Sequence, residues 1–301
     1  MISLVVTTYN QARYIRDALD SVVMQRMTDL QVIVVDDGSS DETLEIARTF
    51  ESSGFEILSK QNGGPSSALN YGMSRVKGEF VVLLSGDDRL LPNSIAQRVA
   101  VLRNGRAAIV SSLPEWIDGN GDALPDSAHP PLFSHYAFET ATDMFAHIYR
   151  GGNIICAPSV AMTRSCWNTV GLFNEDLWQL QDYEYWLRAC VKDQLFHCIT
   201  EPCVAYRWHG RNLSLADSTA SEKEMDRVLL SAPDWLDRAK LLDLIWGKGK
   251  GEQARDVDLE VLRSLIQLKH NRQSVKDGGS RKLRNIAEDE RRRNSILDSL
   301  F

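Results

Sequence analysis

The sequence lacks the features of a nucleic-acid-binding or membrane-spanning protein. It carries 34 basic and 41 acidic side chains over 301 residues, a net charge of −7, whereas binding along a nucleic acid needs a basic field over a broad face. No window approaches the roughly 18 consecutive apolar residues of a spanning helix. We therefore predict no nucleic-acid partner and no transmembrane segment.

Cysteine is also scarce. The five cysteines are an odd number and contain no C-x-x-C pair, which favours buried free thiols over a zinc site or a disulfide framework. The opening segment, MISLVVTTYN, has neither the basic residues nor the long apolar run of a signal peptide. The sequence predicts a cytoplasmic protein and leaves peripheral association with the inner face of a membrane open.

The first 112 residues alternate short apolar runs with amphipathic stretches. The runs, rich in Val, Ile and Leu, predict strands, and the stretches between them have helical spacing. Parallel neighbours need crossover connections, so this alternation implies an α/β protein with a mostly parallel sheet flanked by helices. The predicted strands are 2–7, 31–35, 55–58, 80–84 and 107–111, followed by 154–162 and 195–199.

Two regions depart from this alternation. Residues 113–135 are rich in Pro, Gly, Asp and His and predict a long loop or an irregular hairpin, lying either beside a substrate or merely at the surface. After residue 218 the sequence becomes charged and helix-forming, and the glycines at 247–251 and 277–279 predict loops between helices. We therefore predict two domains, an α/β domain over 1–218 and a helical extension over 219–301.

The common nucleotide-binding motifs, G-x-G-x-x-G and G-x-x-x-x-G-K-[ST], are both absent. Polar turns instead follow three predicted strands, with TTYN at 7–10, DDGS at 36–39 and SGDD at 85–88. In an open parallel sheet, ligands collect at the carboxyl ends of the strands. The sequence therefore predicts a ligand site built from these turns.

Two of these turns carry adjacent carboxylates, Asp36 with Asp37 and Asp87 with Asp88. Burying such a pair is costly unless something compensates its charge. Mg²⁺ or Mn²⁺ would do so, because both prefer oxygen ligands and share their shell with substrate phosphates and water. Turn formation and helix capping explain the same residues, so both interpretations stay open on the pairs alone.

The motifs together resemble glycosyltransferase family 2. The resemblance covers roughly the first 210 residues and implies the GT-A fold, a Rossmann-like mostly parallel sheet flanked by helices, here followed by a C-terminal helical extension. It implies an inverting transferase that moves a sugar from a nucleoside-diphosphate sugar to a hydroxyl acceptor. The segments that carry it, in the family's order and spacing, are VVTTYN, VVDDGSSDET, NGGPSSALNYG, VKGEFVVLLSGDD and QDYEYWLR.

The resemblance also assigns donor-binding residues. Thr7 and Tyr9 match positions that line the nucleotide base, and Asp37 matches the acid that hydrogen-bonds the base or its ribose. Arg207, within YRWH at 206–209, would neutralise charge on the diphosphate. The full set of nucleotide-sugar-binding positions implied in this way is Thr7, Tyr9, Asp36, Asp37, Gly64, Asn70, Asp87 and Arg207.

By the same resemblance, Asp182 matches the general base, which takes a proton from the acceptor hydroxyl. Asp182 also suits the N-cap of a helix predicted at 182–191. Asp87 and Asp88 match the last two acids of the metal motif, with Asp88 the better match for direct coordination of Mn²⁺ or Mg²⁺, and His209 would complete the shell.

Two positions depart from the family pattern. Many members carry an acid where this sequence has Ser85, which implies fewer carboxylates for the metal and a role for Asp87 in binding the donor sugar. Gln181 stands where a Glu commonly precedes the catalytic Asp. A non-catalytic nucleotide-sugar or glycan-binding module therefore stays open, as does a sugar nucleotidyltransferase, although TTYNQAR offers only Arg13 to a triphosphate.

The acceptor is implied only by class, as a glycan, a lipid-linked glycan or a protein in surface polysaccharide or glycoconjugate biosynthesis. Three roles are compatible with the C-terminal helices. They would pack on the first domain, form a homodimer interface, or receive a membrane-linked or protein acceptor.

Overall fold

A computed structural model of the protein describes residues 1–213, 218–251 and 257–298. The chain forms two compact units. Unit 1 comprises Met1–Ala141 and Asn153–Ser218, and unit 2 comprises Thr142–Gly152 and Thr219–Phe301. The sequence did not indicate that residues 142–152 join the second unit. Within that unit, the Tyr149 hydroxyl donates to the carbonyl of Leu229 at 3.0 Å.

The described part of unit 1 contains two sheets. The larger has the order β3-β2-β1-β4-β8-β6-β9, and the smaller has the order β5-β10-β7. The strands are β1 Ile2–Thr8, β2 Leu30–Asp36, β3 Glu56–Ser59, β4 Phe80–Ser85, β5 Arg89–Leu90, β6 Ile109–Ser112, β7 Glu115–Ile117, β8 Ala161–Thr163, β9 Phe196–Ile199 and β10 Val204–Arg207.

The larger sheet is mostly parallel. β1 pairs in parallel with β2 and β4, and β2 with β3. Only β8, among the described strands of this sheet, runs antiparallel to its neighbours β4 and β6. The central strands are continuous apolar runs because both faces are covered; Leu4, Val5 and Val6 are fully buried. The predicted α/β class is confirmed.

Helices complete both units. They are α1 Ile15–Val23, α2 Thr43–Arg48, α3 Pro65–Met73, α4 Ser94–Arg103, α5 Ala141–Gly151, α6 Arg164–Val170, α7 Gln181–Val191, α8 Ser218–Ser231, α9 Arg238–Trp246, α10 Leu259–Leu268 and α11 Gln273–Asp298. No helix in the described part of the chain is long and apolar enough to cross a membrane. All five cysteines are free and buried, as predicted.

Three sequence predictions need comment in unit 1. The strand predicted at 154–162 is wrong for most of its length, because Ala157–Ser159 forms a 3-10 turn around Pro158 and β8 begins only at Ala161. The irregular hairpin predicted within 113–135 is confirmed by β7 and by an antiparallel bridge between Ile117 and Ala123. The short strands β5 and β10 were not predicted.

Unit 2 contains one correction. The loop predicted at 277–279 is wrong, because α11 runs continuously through Gly278 and Gly279. A Cβ at Gly278 would overlap the side chain of Leu230, and one at Gly279 would lie 2.8 Å from the carbonyl oxygen of Ser264. These glycines therefore allow α11 to pack closely on α8 and α10. The loop predicted at 247–251 is confirmed, since α9 ends at Trp246.

Candidate active site

The three polar turns lie together at the carboxyl edge of the larger sheet. Thr7 is in register with Ser85 of β4, and Thr8 is in register with Asp36 of β2. The backbone N–H of Gly86 donates to the carbonyl of Thr7 at 2.9 Å, which carries the contact beyond the strands. The predicted convergence of these turns at one edge of the sheet is therefore confirmed.

Gly86 allows the acidic turn after β4 to pass close to the end of β1. A Cβ at this position would lie 2.6 Å from both the Thr8 hydroxyl and Gln11 Oε1, a separation that real Cβ atoms do not adopt. The Thr8 hydroxyl itself donates to Gln11 Oε1 at 2.8 Å. Beyond this contact Tyr9 is 48% exposed, so its ring is available to a flat ligand.

Asp37 holds the loop that precedes α3. Its buried carboxylate forms an ion pair with Lys60 Nζ at 2.8 Å. It also accepts the backbone N–H groups of Gly63 at 3.1 Å and Gly64 at 2.8 Å. Charge-assisted hydrogen bonds of this kind are stronger than neutral ones. Asp37 therefore orders the 60–64 loop, and its predicted contact with the base or ribose stays a prediction.

We expect Asp37→Ala to lower the free energy of unfolding by about 3 kcal/mol, because it leaves the Lys60 ammonium and two amide donors without their shared acceptor. Urea denaturation would measure the loss. Glu45→Ala, at an exposed carboxylate of α2, is the matched control and should change stability by less than about 0.5 kcal/mol. Equal stability of the two variants would contradict the anchoring role.

Asp36 differs from its neighbour. Its Oδ2 accepts the backbone N–H of Ser39 at 3.2 Å and the Ser59 hydroxyl at 3.3 Å. Its Oδ1 is buried and has no hydrogen-bond partner in the described part of the chain. A buried oxygen without a donor is costly, so this atom is one at which a ligand donor would be stabilising.

Gly64 and Asn70 connect α3 to the segment before α7. The Asn70 amide donates to the carbonyl of Phe173 and to Glu175 Oε1, both at 2.9 Å, and accepts the Phe173 N–H at 2.9 Å. Gly64 has φ +86°, and a Cβ there would lie 3.2 Å from the ring of Trp178. Asn70 thus positions the loop that brings Trp178 to Gly64, and the donor contacts of Gly64 and Asn70 stay predictions.

His209 and Asp87 form an acid–histidine pair beside the turn that follows β4. His209 Nε2 lies 3.1 Å from Asp87 Oδ2, and His209 Nδ1 accepts the backbone N–H of Arg211 at 3.2 Å. The second bond assigns the proton of a neutral ring to Nε2, facing Asp87. Asp88 is buried beside this pair, and its Oδ1 accepts the backbone N–H of Arg207 at 2.8 Å.

Burial raises the pKa of Asp88 well above its usual range, and the neighbouring Asp87 carboxylate raises it further. Neutralisation of this cluster by a cation would relieve both effects. The turn of Asp87 and Asp88 therefore concentrates negative charge at a buried position.

The acidic turn offers oxygen ligands to a divalent cation, whereas coordination by His209 Nε2 would require the ring proton to move to Nδ1 and the bond from the Arg211 N–H to break. The 3.1 Å separation of His209 Nε2 and Asp87 Oδ2 is close to the distance of about 3.0 Å between adjacent ligands of an octahedral ion with bonds of about 2.1 Å. No group of three His, Cys, Asp or Glu side chains within the described ranges is placed to hold a metal. The protein would thus supply a partial shell, to be completed by phosphate and water, as Mg²⁺ prefers.

Arg207 braces the acidic turn from behind. Its buried guanidinium donates to the carbonyl of Asp87 at 2.7 Å, to Asp17 Oδ2 at 2.5 Å and to the carbonyl of Asp118 at 3.2 Å. These bonds direct the guanidinium toward the protein, so Arg207 positions the acidic turn. Its predicted contact with the diphosphate stays a prediction.

Asp182 is the second residue of α7 and is partly buried. Its Oδ2 accepts the side-chain amide of Asn153 at 2.8 Å, and its Oδ1 accepts the backbone N–H of Tyr183 at 2.7 Å. Burial is the main cause that raises the pKa of Asp182 to about 6, against the two hydrogen bonds, which lower it. The N-cap interpretation is wrong, because the cap residue is Leu180.

Asp182 and Asp88 both lie near the buried thiol of Cys156. Burial raises the pKa of the Cys156 thiol, and the nearby carboxylates of Asp88 and Asp182 raise it further, which places both carboxylates around this thiol. Asn153 is the functional residue that sequence reasoning missed. It lies 29 positions before Asp182, follows two glycines of no special spacing, and belongs to none of the resembling segments.

The mostly parallel sheet, with acidic turns at its strand ends, has the architecture of the GT-A fold. Solved structures with this fold are similar to the chain. TarS of S. aureus, in complex with UDP-GlcNAc, aligns with a TM-score of 0.60 at 18% identity over 97% of this chain and 91% of that one. A mannosyltransferase of Pyrobaculum calidifontis, in complex with GDP-Man and Mn²⁺, aligns with a TM-score of 0.52 at 17% identity over 100% and 80%. At these identities the likeness shows the fold.

Sequence comparison identifies the family. The profile described as glycosyl transferase family 2 matches residues 3–165, more than half of the chain, and the chain belongs to this family. An uncharacterized glycosyltransferase of Rickettsia felis is 33% identical over 74% of this chain and 36% of its own length. A chondroitin synthase of Pasteurella multocida is 28% identical over 74% of this chain and 22% of its own. The alignment thus spans well under two thirds of these relatives.

Proposed function

We propose that the protein transfers a sugar from a nucleoside-diphosphate sugar to a hydroxyl group of an acceptor glycan, with inversion at the anomeric carbon. One observation carries this proposal: the Asp182 carboxylate, oriented by the Asn153 amide at 2.8 Å and with its pKa raised by burial to about 6, lies with Asp88 of the acidic turn near Cys156. A base of that strength is suited to proton abstraction near neutral pH.

The donor would lie over the strand ends. Tyr9 offers an exposed ring to the base, and Thr7 lines the same edge, with the buried Asp36 carboxylate behind it. The structural relatives solved with UDP-GlcNAc and with GDP-Man and Mn²⁺ support this class of donor. Asp87, Asp88 and His209 are the residues that would hold Mn²⁺ or Mg²⁺, which would supply Lewis-acid stabilisation of the leaving diphosphate.

Asp182 would perform the proton transfer. As the acceptor oxygen forms its bond to the anomeric carbon, the bond from that carbon to the diphosphate breaks on the opposite face, and the acceptor proton passes to the Asp182 carboxylate. Asn153 keeps the carboxylate oriented through its 2.8 Å hydrogen bond. General-base assistance of this kind is worth about 10² to 10⁴ in rate.

The remaining assignments are proposals of the same rank. We propose that the reaction takes place in the cytoplasm. We also propose a glycan as the acceptor, because relatives bear the names chondroitin synthase and hyaluronan synthase. Membrane-peripheral binding and homodimer formation through the helices of unit 2 are separate hypotheses, which sedimentation and vesicle-binding assays would test.

A panel of nucleotide sugars, incubated with Mn²⁺ and a set of oligosaccharide acceptors, tests the proposal. We expect release of nucleoside diphosphate and a product whose anomeric configuration, read by NMR, is opposite to that of the donor. Donor binding without hydrolysis or transfer would instead indicate a binding module. Release of pyrophosphate from a nucleoside triphosphate would indicate a nucleotidyltransferase.

The general base also predicts a pH dependence. Because Asp182 must be ionised, kcat should rise with pH through about 6, the value to which burial raises its pKa. The Asn153 hydrogen bond lowers this pKa by stabilising the charged form, so Asn153→Ala should move the rise to higher pH. Profiles of kcat against pH for the two proteins would measure it. A shift to lower pH would contradict the assignment.

A further inference from the structure

A polar cleft of about 380 Å³ is lined in part by Arg207, which also contacts the acidic turn of Asp87 and Asp88. Its lining contains three guanidinium groups and one carboxylate, although the whole sequence carries a net charge of −7. A local excess of positive charge in an acidic protein concentrates anions at that place. The lining side chains used below are Arg13, Tyr14, Asp17, Arg89, Asn120 and Arg207.

Two of the three arginines have donors to spare. Arg13 donates from Nη2 to Asn120 Oδ1 at 2.7 Å, and Arg89 donates from Nη2 to the carbonyl of Gly121 at 3.2 Å. Arg89 Nη1 is 3.7 Å from Asp17 Oδ2. A guanidinium has five N–H donors, so most donors of Arg13 and Arg89 carry no hydrogen bond within the described ranges. Arg207, in contrast, is committed to the protein.

The cleft shares a wall with the pair of His209 and Asp87. The Tyr14 ring stacks on His209 with centroids 4.8 Å apart. The guanidinium of Arg207 lies over the Tyr14 ring, 4.9 Å from its centroid. A ligand in the cleft would therefore be separated from the proposed diphosphate site by one layer of side chains.

A second cleft of about 320 Å³ shares Arg89 with the first. It is lined by the apolar side chains of Trp116, Ile117 and Leu124 and by the carboxylates of Glu115 and Asp126, and the Trp116 ring is held by stacking on His129 with centroids 3.9 Å apart. We call the two clefts together the groove; its first part is cationic, and its second part combines an apolar wall with two carboxylates. Aromatic and aliphatic walls suit the faces of sugar rings.

We infer that this groove binds an anionic acceptor glycan, whose carboxylate or phosphate group lies on Arg13 and Arg89 while a neighbouring sugar contacts the wall at Trp116. Arginine matches both oxyanions through paired N–H donors. The inference rests on the proposed function. The acceptor is favoured over the donor because β2 and the 60–64 loop, where the nucleotide is proposed to lie, contribute none of the lining residues given for the described chain.

The test measures binding directly, by calorimetry at low salt, with three oligosaccharide probes of equal length: one containing uronic acid, one built of alditol phosphate and one neutral. We expect the full-length protein to bind one of the acidic probes most tightly, and the preferred probe identifies carboxylate or phosphate. Arg13→Gln combined with Arg89→Gln should weaken that binding at least tenfold and change the neutral probe less than twofold. Arg89→Lys should retain part of the binding.

Arg106→Gln is the matched control, since Arg106 is exposed in unit 1 and lines neither cleft, and it should bind as the unchanged protein does. Thermal melting of each variant establishes that it is folded. Equal weakening of the binding of acidic and neutral probes in the double variant would overturn the inference. A wild-type protein that binds both acidic probes no more tightly than the neutral one would also overturn it.

Donor binding separates this inference from the proposed function. Loss of nucleotide-sugar affinity in the double variant would assign the arginines to the donor diphosphate and overturn the acceptor role. Failure of the proposed function shows differently, as a wild-type protein that binds no nucleotide sugar while its affinity for the acidic probe still reports on the groove.

Discussion

Asp182→Asn should lower kcat by about 10² to 10⁴, the range of general-base assistance, while the donor dissociation constant changes less than twofold. Asparagine preserves the shape of the side chain and can still accept the hydrogen bond that Asn153 donates at 2.8 Å, but it cannot take the acceptor proton. Steady-state kinetics would measure the first quantity, and calorimetry with a nucleotide sugar the second.

The same substitution at Asp193 is the control. Asp193 lies just beyond the other end of α7 and has φ +56°, a conformation that asparagine also adopts readily. Asp193→Asn therefore removes one charge near the same helix and should leave kcat within twofold. An Asp182→Asn enzyme with full activity would remove Asp182 from the reaction.

Asp87→Asn should weaken metal-dependent donor binding by at least about 100-fold, because loss of even an outer partner of a metal site costs about 10- to 100-fold in affinity. The carboxylate lost is the one 3.1 Å from His209 Nε2. Titration of donor in the presence of Mn²⁺, repeated with excess chelator, would measure the effect as the difference between the two conditions.

Asp88→Asn is the informative comparison. Asp88 accepts the backbone N–H of Arg207 at 2.8 Å, a bond that asparagine retains through its carbonyl oxygen, so we expect a smaller loss of metal-dependent binding than for Asp87→Asn. The resemblance of the SGDD motif predicts the reverse order, with Asp88 as the direct ligand. The ranking of the two variants decides between these assignments.

The long central strands were predictable because each is an apolar run bounded by polar turns. Once β1, β2 and β4 are parallel, their acidic ends must meet at one edge, so Asp36 and Asp87 could be placed together from the sequence. β5 and β10, with 2 and 4 residues, are too short to show a period. Their pairing depends on contacts between distant parts of the chain.

Other features depended on packing that no local pattern encodes. Gly278 and Gly279 predicted a loop by composition, yet they lie inside α11 because neighbouring helices leave no room for a Cβ. Asn153 reaches Asp182 only through the fold. The groove likewise brings together Arg13, which lies just before α1, and Arg89, which lies in β5. Neither arginine belongs to a motif.

Arg207 joins the acidic turn to the arginine cleft. Its backbone N–H holds Asp88, and its guanidinium both holds the carbonyl of Asp87 and lines the arginine cleft. Any displacement of this guanidinium by an anion in the cleft would be transmitted to the acidic turn, and the reverse would hold for a ligand at the turn. By linkage, the factor by which bound donor changes acceptor affinity must equal the factor by which bound acceptor changes donor affinity.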